Sequence, residues 1–134
     1  VKYYNDSIAS SPTRTALGTL SLYSRKICII AGGYDKHIPY EPLGPVINDK
    51  VKLLILLGDT APKIEKAVKE ASNYDADEIE IVNVTNMEEA VAVARERSTK
   101  GDIVSLSPAS ASFGLYKNFE ERGNHFKSIV NALK

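Results

Sequence analysis

Apolar stretches of strand length alternate with amphipathic stretches of helix length along this chain. Short, mostly apolar runs predict strands at residues 2–5, 26–31, 51–57, 78–84 and 103–106. Between them, apolar residues recur at spacings of three, four and seven, which predicts helices with one buried face. We expect these helices to begin near residues 11, 40, 62, 86 and 119. For the fourth, Thr85-Asn86-Met87-Glu88 predicts a capping box with Thr85 as the N-cap.

Strands that are buried on both faces and separated by helices indicate a parallel sheet with right-handed crossovers. We therefore predict an α/β fold in which residues 1–134 form a single three-layer domain. Its mostly parallel sheet should have about six strands, with helices on both faces. Ligands of such folds bind beyond the carboxyl ends of the strands.

The composition mainly excludes certain partners and membrane-targeting segments. The 17 basic and 17 acidic side chains balance, so no excess charge favours nucleic acid or an anionic membrane as a partner. No apolar run reaches the length of a membrane span, and the first residues lack a signal peptide's apolar core. The single cysteine, Cys28, lies within an apolar run, which predicts a buried structural thiol and a cytoplasmic protein. Because the first residue is Val1, we expect a fragment or a processed product.

Polar residues gather in three loops that follow predicted strands. The loops are residues 5–11, 32–37 and 107–112, the last continued by 117–119. Because the strands are expected to be parallel, all three loops should lie at one edge of the sheet. Together they offer a lysine, an aspartate, several hydroxyls and helix N-termini, which suits a small zwitterionic or doubly anionic ligand.

Each loop alone also has an ordinary explanation. Ser107-Pro108 favours a helix start, and Ser110 and Ser112 would add hydroxyls to an anion site there. The same residues could form a plain strand-to-helix turn, and Lys36 could be a solvated surface lysine. The anion-binding interpretation therefore depends on the three loops acting together.

Several common motifs are missing from the sequence. Gly32-Gly33 follows a strand, but there is no G-x-G-x-x-G and no G-x-x-x-x-G-K-[ST] phosphate loop. The two histidines, His37 and His125, are too few and too far apart to predict a metal site. Cys28 lies in mid-strand with no histidine beside it, so it is not a candidate nucleophile.

Three segments resemble the C-terminal domain of the Mur ligase family. They are residues 5–10 (Asn-Asp-Ser-Ile-Ala-Ser), residues 31–36 (Ala-Gly-Gly-Tyr-Asp-Lys), and residues 106–112 (Leu-Ser-Pro-Ala-Ser-Ala-Ser) with 117–126 (Lys-Asn-Phe-Glu-Glu-Arg-Gly-Asn-His-Phe). They occur in order, at compatible spacings, over nearly the whole chain. The last segment is long and highly specific.

The resemblance implies a Rossmann-like, amino-acid-binding domain of a monomeric cytoplasmic enzyme. The implied reaction is ATP-dependent addition of D-glutamate to UDP-N-acetylmuramoyl-L-alanine through an acyl phosphate, a step of peptidoglycan precursor synthesis. The resemblance implies that the family's N-terminal UDP-binding domain and central ATPase domain are absent from this fragment. ATP and magnesium would be bound mainly by that central domain, so the fragment alone should be inactive.

The resemblance also implies roles for individual residues. The positions matching the family's D-glutamate site are Ser10, Lys36, Ser112 and Phe119. Asp6 matches a residue that contacts the ATP ribose, and no catalytic residue or metal ligand is implied in this domain.

Two positions depart from the family's pattern. Ser10 replaces a common threonine but keeps the hydroxyl, whereas Ile8 replaces a lysine found in some relatives, so a phosphate contact there is lost. The Asp-Asn-Pro-Arg segment of the diaminopimelate- and lysine-adding relatives is missing, which favours D-glutamate as the acceptor.

Two alternatives remain at this point. The chain could be a stand-alone α/β module that binds a small anionic metabolite, or a purely structural or interaction domain. The first predicts ligand affinity without other domains. The second leaves the three polar loops without a common ligand. An upstream phosphate loop in the same reading frame would favour the ligase.

Overall fold

Strands and helices alternate along the residues that the computed structural model describes, which are 2–5, 26–33, 39–106 and 118–132. The strands are β1 (Lys2–Asn5), β2 (Ile27–Ala31), β3 (Val51–Leu56), β4 (Glu80–Asn83) and β5 (Ile103–Leu106). The helices are α1 (Leu43–Lys50), α2 (Ala61–Glu70), α3 (Met87–Arg97) and α4 (Phe119–Asn131). The helices expected from residues 11 and 108 lie outside the described residues.

The strands form one sheet in the order β1-β5-β2-β3-β4, and every neighbouring pair is parallel. This confirms the predicted α/β fold with a mostly parallel sheet. Within the described residues the sheet has five strands, slightly fewer than the expected six or so.

Helices cover both faces of the sheet, as predicted, because side chains alternate along each strand. In β2, Ile27 and Ile29 point into a core shared with α1 and α2, whereas Cys28 and Ile30 point into a core shared with α3 and α4. All four side chains are almost completely buried. A strand buried on both faces must be apolar at nearly every position, which is why the run was visible in the sequence.

The helices bury the faces that the spacing predicted. In α3 the buried residues are Met87, Ala90, Val91 and Ala94. In α4, Phe126 is buried, and Ile129 and Val130 pack partly against the same core. None of the helices in the described residues has the length and apolar character needed to cross a bilayer.

Two predicted helix starts are corrected by the structure. The N-cap of α3 is Asn86 and not Thr85, because the Asn86 Oδ1 accepts a hydrogen bond from the Glu89 backbone N–H at 2.8 Å. The Thr85 hydroxyl donates instead to the Glu89 carboxylate at 3.1 Å. Helix α1 begins at Leu43 and not near residue 40, because residues 40–42 form a turn whose first carbonyl accepts from the Leu43 N–H at 2.9 Å.

Candidate functional site

The carboxyl ends of three strands lie side by side at one edge of the sheet. Asn5, the last residue of β1, is in register with Leu106, the last residue of β5. Leu106 is in register with Ile30 of β2, one residue before that strand ends. The three polar loops singled out in the sequence therefore leave from neighbouring strands. The sheet order also changes direction between β2 and β5, and such switch points are where ligands of open α/β sheets bind.

Four of the five predicted site residues lie outside the described residues: Asp6, Ser10, Lys36 and Ser112. Phe119 is the first residue of α4. The roles of these five residues therefore stay predictions. The structure places the strand ends and the helix start that lead to them.

The turn after β2 is held against the loop after β3. Gly32 has a φ of 112°, and a Cβ atom there would lie 1.9 Å from the Leu57 carbonyl oxygen. A Cβ atom at Gly58, where φ is 83°, would lie 2.9 Å from the Cα atom of Gly33. Only glycine fits positions with such backbone angles and such close approach. This explains in physical terms why glycine stands at position 32, before the loop that carries Lys36, and at position 58, after β3.

Thr60 is a residue of this edge that the sequence analysis missed. It is completely buried, and its Oγ1 accepts a hydrogen bond from the Gly33 N–H at 2.9 Å. Its own N–H donates to the Gly33 carbonyl at 3.1 Å. The two residues thus form a reciprocal pair that joins the loops after β2 and β3. A threonine just before a helix is an available signal, but it predicts a helix cap and not a cross-loop contact.

Arg122 is a second residue that the sequence analysis missed. Among the described residues it is the only buried charged side chain, with 3% exposure. It lies in the first turn of α4, four residues before the buried Phe126. Buried arginines require hydrogen-bonding partners because desolvation of a charge is costly. The signal in the sequence was its place on the inward face of α4, but its charge argued for exposure.

Asparagine caps start both helices on the α3–α4 face. The Asn118 Oδ1 accepts a hydrogen bond from the Glu121 N–H at 2.8 Å, as Asn86 does in α3. Each of these helices also has two glutamates in its first turn. Because those carboxylates already complement the helix dipoles, neither N-terminus is by itself an anion site.

A cavity of about 550 Å³ lies between α1 and α2. The described residues that line it are Pro39, Tyr40, Glu41, Pro45, Lys63, Lys66, Ala67, Glu70 and Ala71. Two lysines and two glutamates give it no net charge, so it favours no particular ligand class. Lys63, Lys66 and Glu70 are exposed, as expected for the outer face of this helix.

Cys28 is the buried thiol expected from the sequence, and His125 pairs with a carboxylate. Cys28 is 1% exposed and 4.0 Å from the Ser98 hydroxyl, and burial raises the pKa of its thiol, so it is not an activated nucleophile. The His125 Nε2 lies 2.8 Å from a carboxylate oxygen of Glu88 and links α4 to α3. Within the described ranges no three His, Cys, Asp or Glu side chains are grouped closely enough to hold a metal ion.

A parallel sheet packed between two layers of helices, with the ends of three strands side by side at a switch point, defines an α/β domain of the Rossmann-like type. Comparison with known protein families then identifies the chain as a member of the Mur ligase family, whose domain described as "Mur ligase, glutamate ligase domain" matches residues 1–110.

Individual relatives are similar over the whole chain. A UDP-N-acetylmuramoylalanine--D-glutamate ligase of Acetivibrio thermocellus is 57% identical over 136 residues, which cover 100% of this chain and 29% of the relative. One of Clostridium botulinum (strain Okra / Type B1) is 58% identical over 133 residues, covering 99% of this chain and 29% of the relative. The chain thus spans about 29% of the length of these relatives.

Proposed function

We propose that the protein to which this domain belongs is an ATP-dependent ligase that adds D-glutamate to UDP-N-acetylmuramoyl-L-alanine, a step of peptidoglycan precursor synthesis. The domain's share of the reaction is to bind D-glutamate. The observation that carries this proposal is the register of Asn5 and Leu106, the last residues of β1 and β5, with Ile30, one residue before the end of β2. The three family-like loops follow these strands in the sequence. The names of the similar ligases support the same reaction.

The predicted residues suit the chemistry of D-glutamate, which has two carboxylates and one ammonium group. Lys36 would supply a point charge for one carboxylate, and the hydroxyls of Ser10 and Ser112 would supply directional donors. Phe119, at the start of α4, completes the proposed site. Holding the amine near an acyl phosphate is mainly a positioning effect, which can lower the barrier by up to about 7–11 kcal/mol in well-oriented cases.

ATP and magnesium are proposed to bind mainly outside these 134 residues. The sequence has no phosphate loop, and the described residues do not form a three-ligand metal group. Asp6 is the one residue here that we propose to contact the nucleotide, at its ribose. ATP would supply the phosphoryl group that activates the substrate carboxylate. We propose no general base in this domain.

The same proposal includes a cytoplasmic, monomeric enzyme. The balanced charge supports the absence of nucleic-acid or anionic membrane partners, since neither would be attracted electrostatically.

The test is an assay of phosphate release by the full-length protein that includes these residues. Release should require ATP, UDP-N-acetylmuramoyl-L-alanine and D-glutamate together, and L-glutamate, L-lysine or meso-diaminopimelate should not replace D-glutamate. Residues 1–134 alone should hydrolyse no ATP. ATP hydrolysis by the isolated chain, or turnover that ignores D-glutamate, would contradict the proposal. Tight D-glutamate binding by the isolated chain without any turnover of the full-length protein would favour a stand-alone binding module instead.

A further inference from the structure

We propose that Thr60 is a positioning residue for D-glutamate binding. Its side chain holds the Gly32–Gly33 turn, and through that turn it sets the place from which the Lys36 loop departs. This inference rests on the proposed function, because it assigns Lys36 to a substrate carboxylate. Thr60 itself belongs to a different loop and is completely buried, so it acts through the turn and does not contact substrate.

The direction of the Thr60 hydroxyl is the first argument. Thr60 is the N-cap residue of α2, a position where threonine normally accepts a hydrogen bond from the first helical turn. Here the side chain makes no capping hydrogen bond. Its Oγ1 accepts instead from the Gly33 N–H at 2.9 Å, across 27 residues of sequence. Helix α2 therefore lacks a side-chain cap from Thr60, and the same hydroxyl instead holds the Gly33 backbone after β2.

The second argument is that the contact between Thr60 and Gly33 is constrained by several further backbone contacts. The Thr60 N–H donates to the Gly33 carbonyl at 3.1 Å, so both polar backbone groups of Gly33 are bound to one residue. On either side of this pair, the backbone at Gly32 nearly touches Leu57, and the backbone at Gly33 nearly touches Gly58. The Leu57 N–H also donates to the Ala31 carbonyl at 3.1 Å. The position of Gly33 is therefore fixed by the loop after β3.

The third argument is the short distance along the chain from the anchor to Lys36. Lys36 follows Gly33 by three residues, and three residues span at most about 11 Å. A displacement of the anchor therefore moves the point from which the three residues leading to Lys36 begin. Misplacement of a binding group by about 1 Å can cost about a hundred-fold in rate.

The experiment compares Thr60→Val with Thr60→Ser in the full-length protein, with D-glutamate varied at saturating ATP and UDP-N-acetylmuramoyl-L-alanine. Valine keeps the shape and removes the acceptor, so the KM for D-glutamate should rise about ten-fold, equivalent to ~1.4 kcal/mol. The KM for ATP should stay within about two-fold of the original value. General damage to the fold would instead raise the KM for ATP as well as the KM for D-glutamate. Serine keeps the hydroxyl and should restore the KM for D-glutamate.

Asn48→Ala is the matched control. Asn48 is another buried polar residue, and its Nδ2 donates to the Val68 carbonyl and to the Asn73 Oδ1, each at 3.0 Å. It lies near the end of α1, at the amino edge of the sheet and away from the proposed site. Its replacement should lower the melting temperature as much as Thr60→Val does, yet leave the KM for D-glutamate unchanged. Thr60→Ala serves as the test variant if Thr60→Val does not fold.

Hydrogen exchange gives a readout that does not depend on activity. Exchange of the Gly33 amide should become faster in Thr60→Val and stay slow in Thr60→Ser. Faster exchange with an unchanged KM for D-glutamate, or an equal rise in KM in Thr60→Val and Asn48→Ala, would overturn the positioning role. Failure of the original protein to use D-glutamate would instead overturn the proposed function, and that result would be seen before any variant is made.

Discussion

The Lys52 Nζ lies 2.5 Å from the Asp102 Oδ1, and this ion pair reaches across β2 to join β3 to the turn before β5. The other Asp102 oxygen accepts hydrogen bonds from the Thr99 N–H at 2.8 Å and from its hydroxyl at 3.3 Å. Asp102 is therefore held at the amino edge of the sheet, opposite the proposed site. Its contribution should be to stability and not to ligand binding.

Stability should fall in acid partly because Asp102 becomes protonated. Burial favours the neutral acid, but the hydrogen bonds from Lys52 and Thr99 outweigh it and lower the pKa of Asp102. The contribution is thus complete above the unfolded-state pKa of about 4 and is lost as the pH falls through the lower folded-state value. Asp102→Asn should lower the free energy of unfolding at pH 7 by about 1 kcal/mol and flatten the acid slope. Urea unfolding between pH 7 and pH 3 measures both, and an acid slope as steep in Asp102→Asn would assign it to other carboxylates.

Gly32→Ala should be strongly destabilising because it combines two costs. A non-glycine residue at a φ of 112° is strained by about 1–3 kcal/mol, and the new Cβ atom would lie 1.9 Å from the Leu57 carbonyl oxygen. We expect a loss of at least about 3 kcal/mol in the free energy of unfolding. Gly101→Ala is the control, because its φ is 90° but no atom lies within 4 Å of the new Cβ. It should cost only about 1 kcal/mol, and equal losses in urea unfolding would show that the close approach contributes nothing.

Lys36→Ala tests the residue that we propose to hold a substrate carboxylate. Loss of a charge-assisted hydrogen bond should cost about 1.5–3 kcal/mol, so kcat/KM for D-glutamate should fall about ten- to a hundred-fold, with a higher KM and a lower kcat. Lys66 is an exposed lysine on α2, and Lys66→Ala should leave kcat/KM, KM and kcat for D-glutamate unchanged. The melting temperature should barely move in either variant. Unchanged kinetics in Lys36→Ala would make Lys36 an ordinary surface lysine, and a large loss of stability would make its role structural.

The sheet was predictable from sequence because its strands are buried on both faces. The run at residues 51–57 had to be apolar at nearly every position, and α3 had to place its buried residues on one stripe. Parallel strands then put all the following loops at one edge. The adjacency of β1, β5 and β2 was not predictable in this way, because chain order does not fix sheet order.

The role of Thr60 could not be predicted from sequence because its contact is non-local. The sequence shows a threonine before a helix, but which donor its hydroxyl meets depends on how closely the Gly33 backbone approaches from another strand. Arg122 was missed for a related reason. Its position on α4 indicated the core, while its charge indicated solvent, and only the packed structure decides between the two.

Asn118→Ala should affect both stability and D-glutamate binding, because Asn118 caps the helix that begins with Phe119. Its Oδ1 accepts from the Glu121 N–H at 2.8 Å, and loss of such a cap costs about 1 kcal/mol. Fraying of this turn would displace Phe119, so the KM for D-glutamate should rise about three-fold or more, as expected for a loss of roughly 0.7 kcal/mol in binding.

Asn86→Ala supplies a closely matched comparison, because Asn86 caps α3 with the same 2.8 Å hydrogen bond and similar extended backbone angles. Both caps are exposed and both helices have two glutamates in the first turn, so the loss of stability should be nearly equal. Only Asn118→Ala should raise the KM for D-glutamate, because α3 follows β4 at the far edge of the sheet. Thermal unfolding and steady-state kinetics of the two variants separate the effects. A KM that rises equally in both, or in neither, would mean that the first turn of α4 does not position the amino acid.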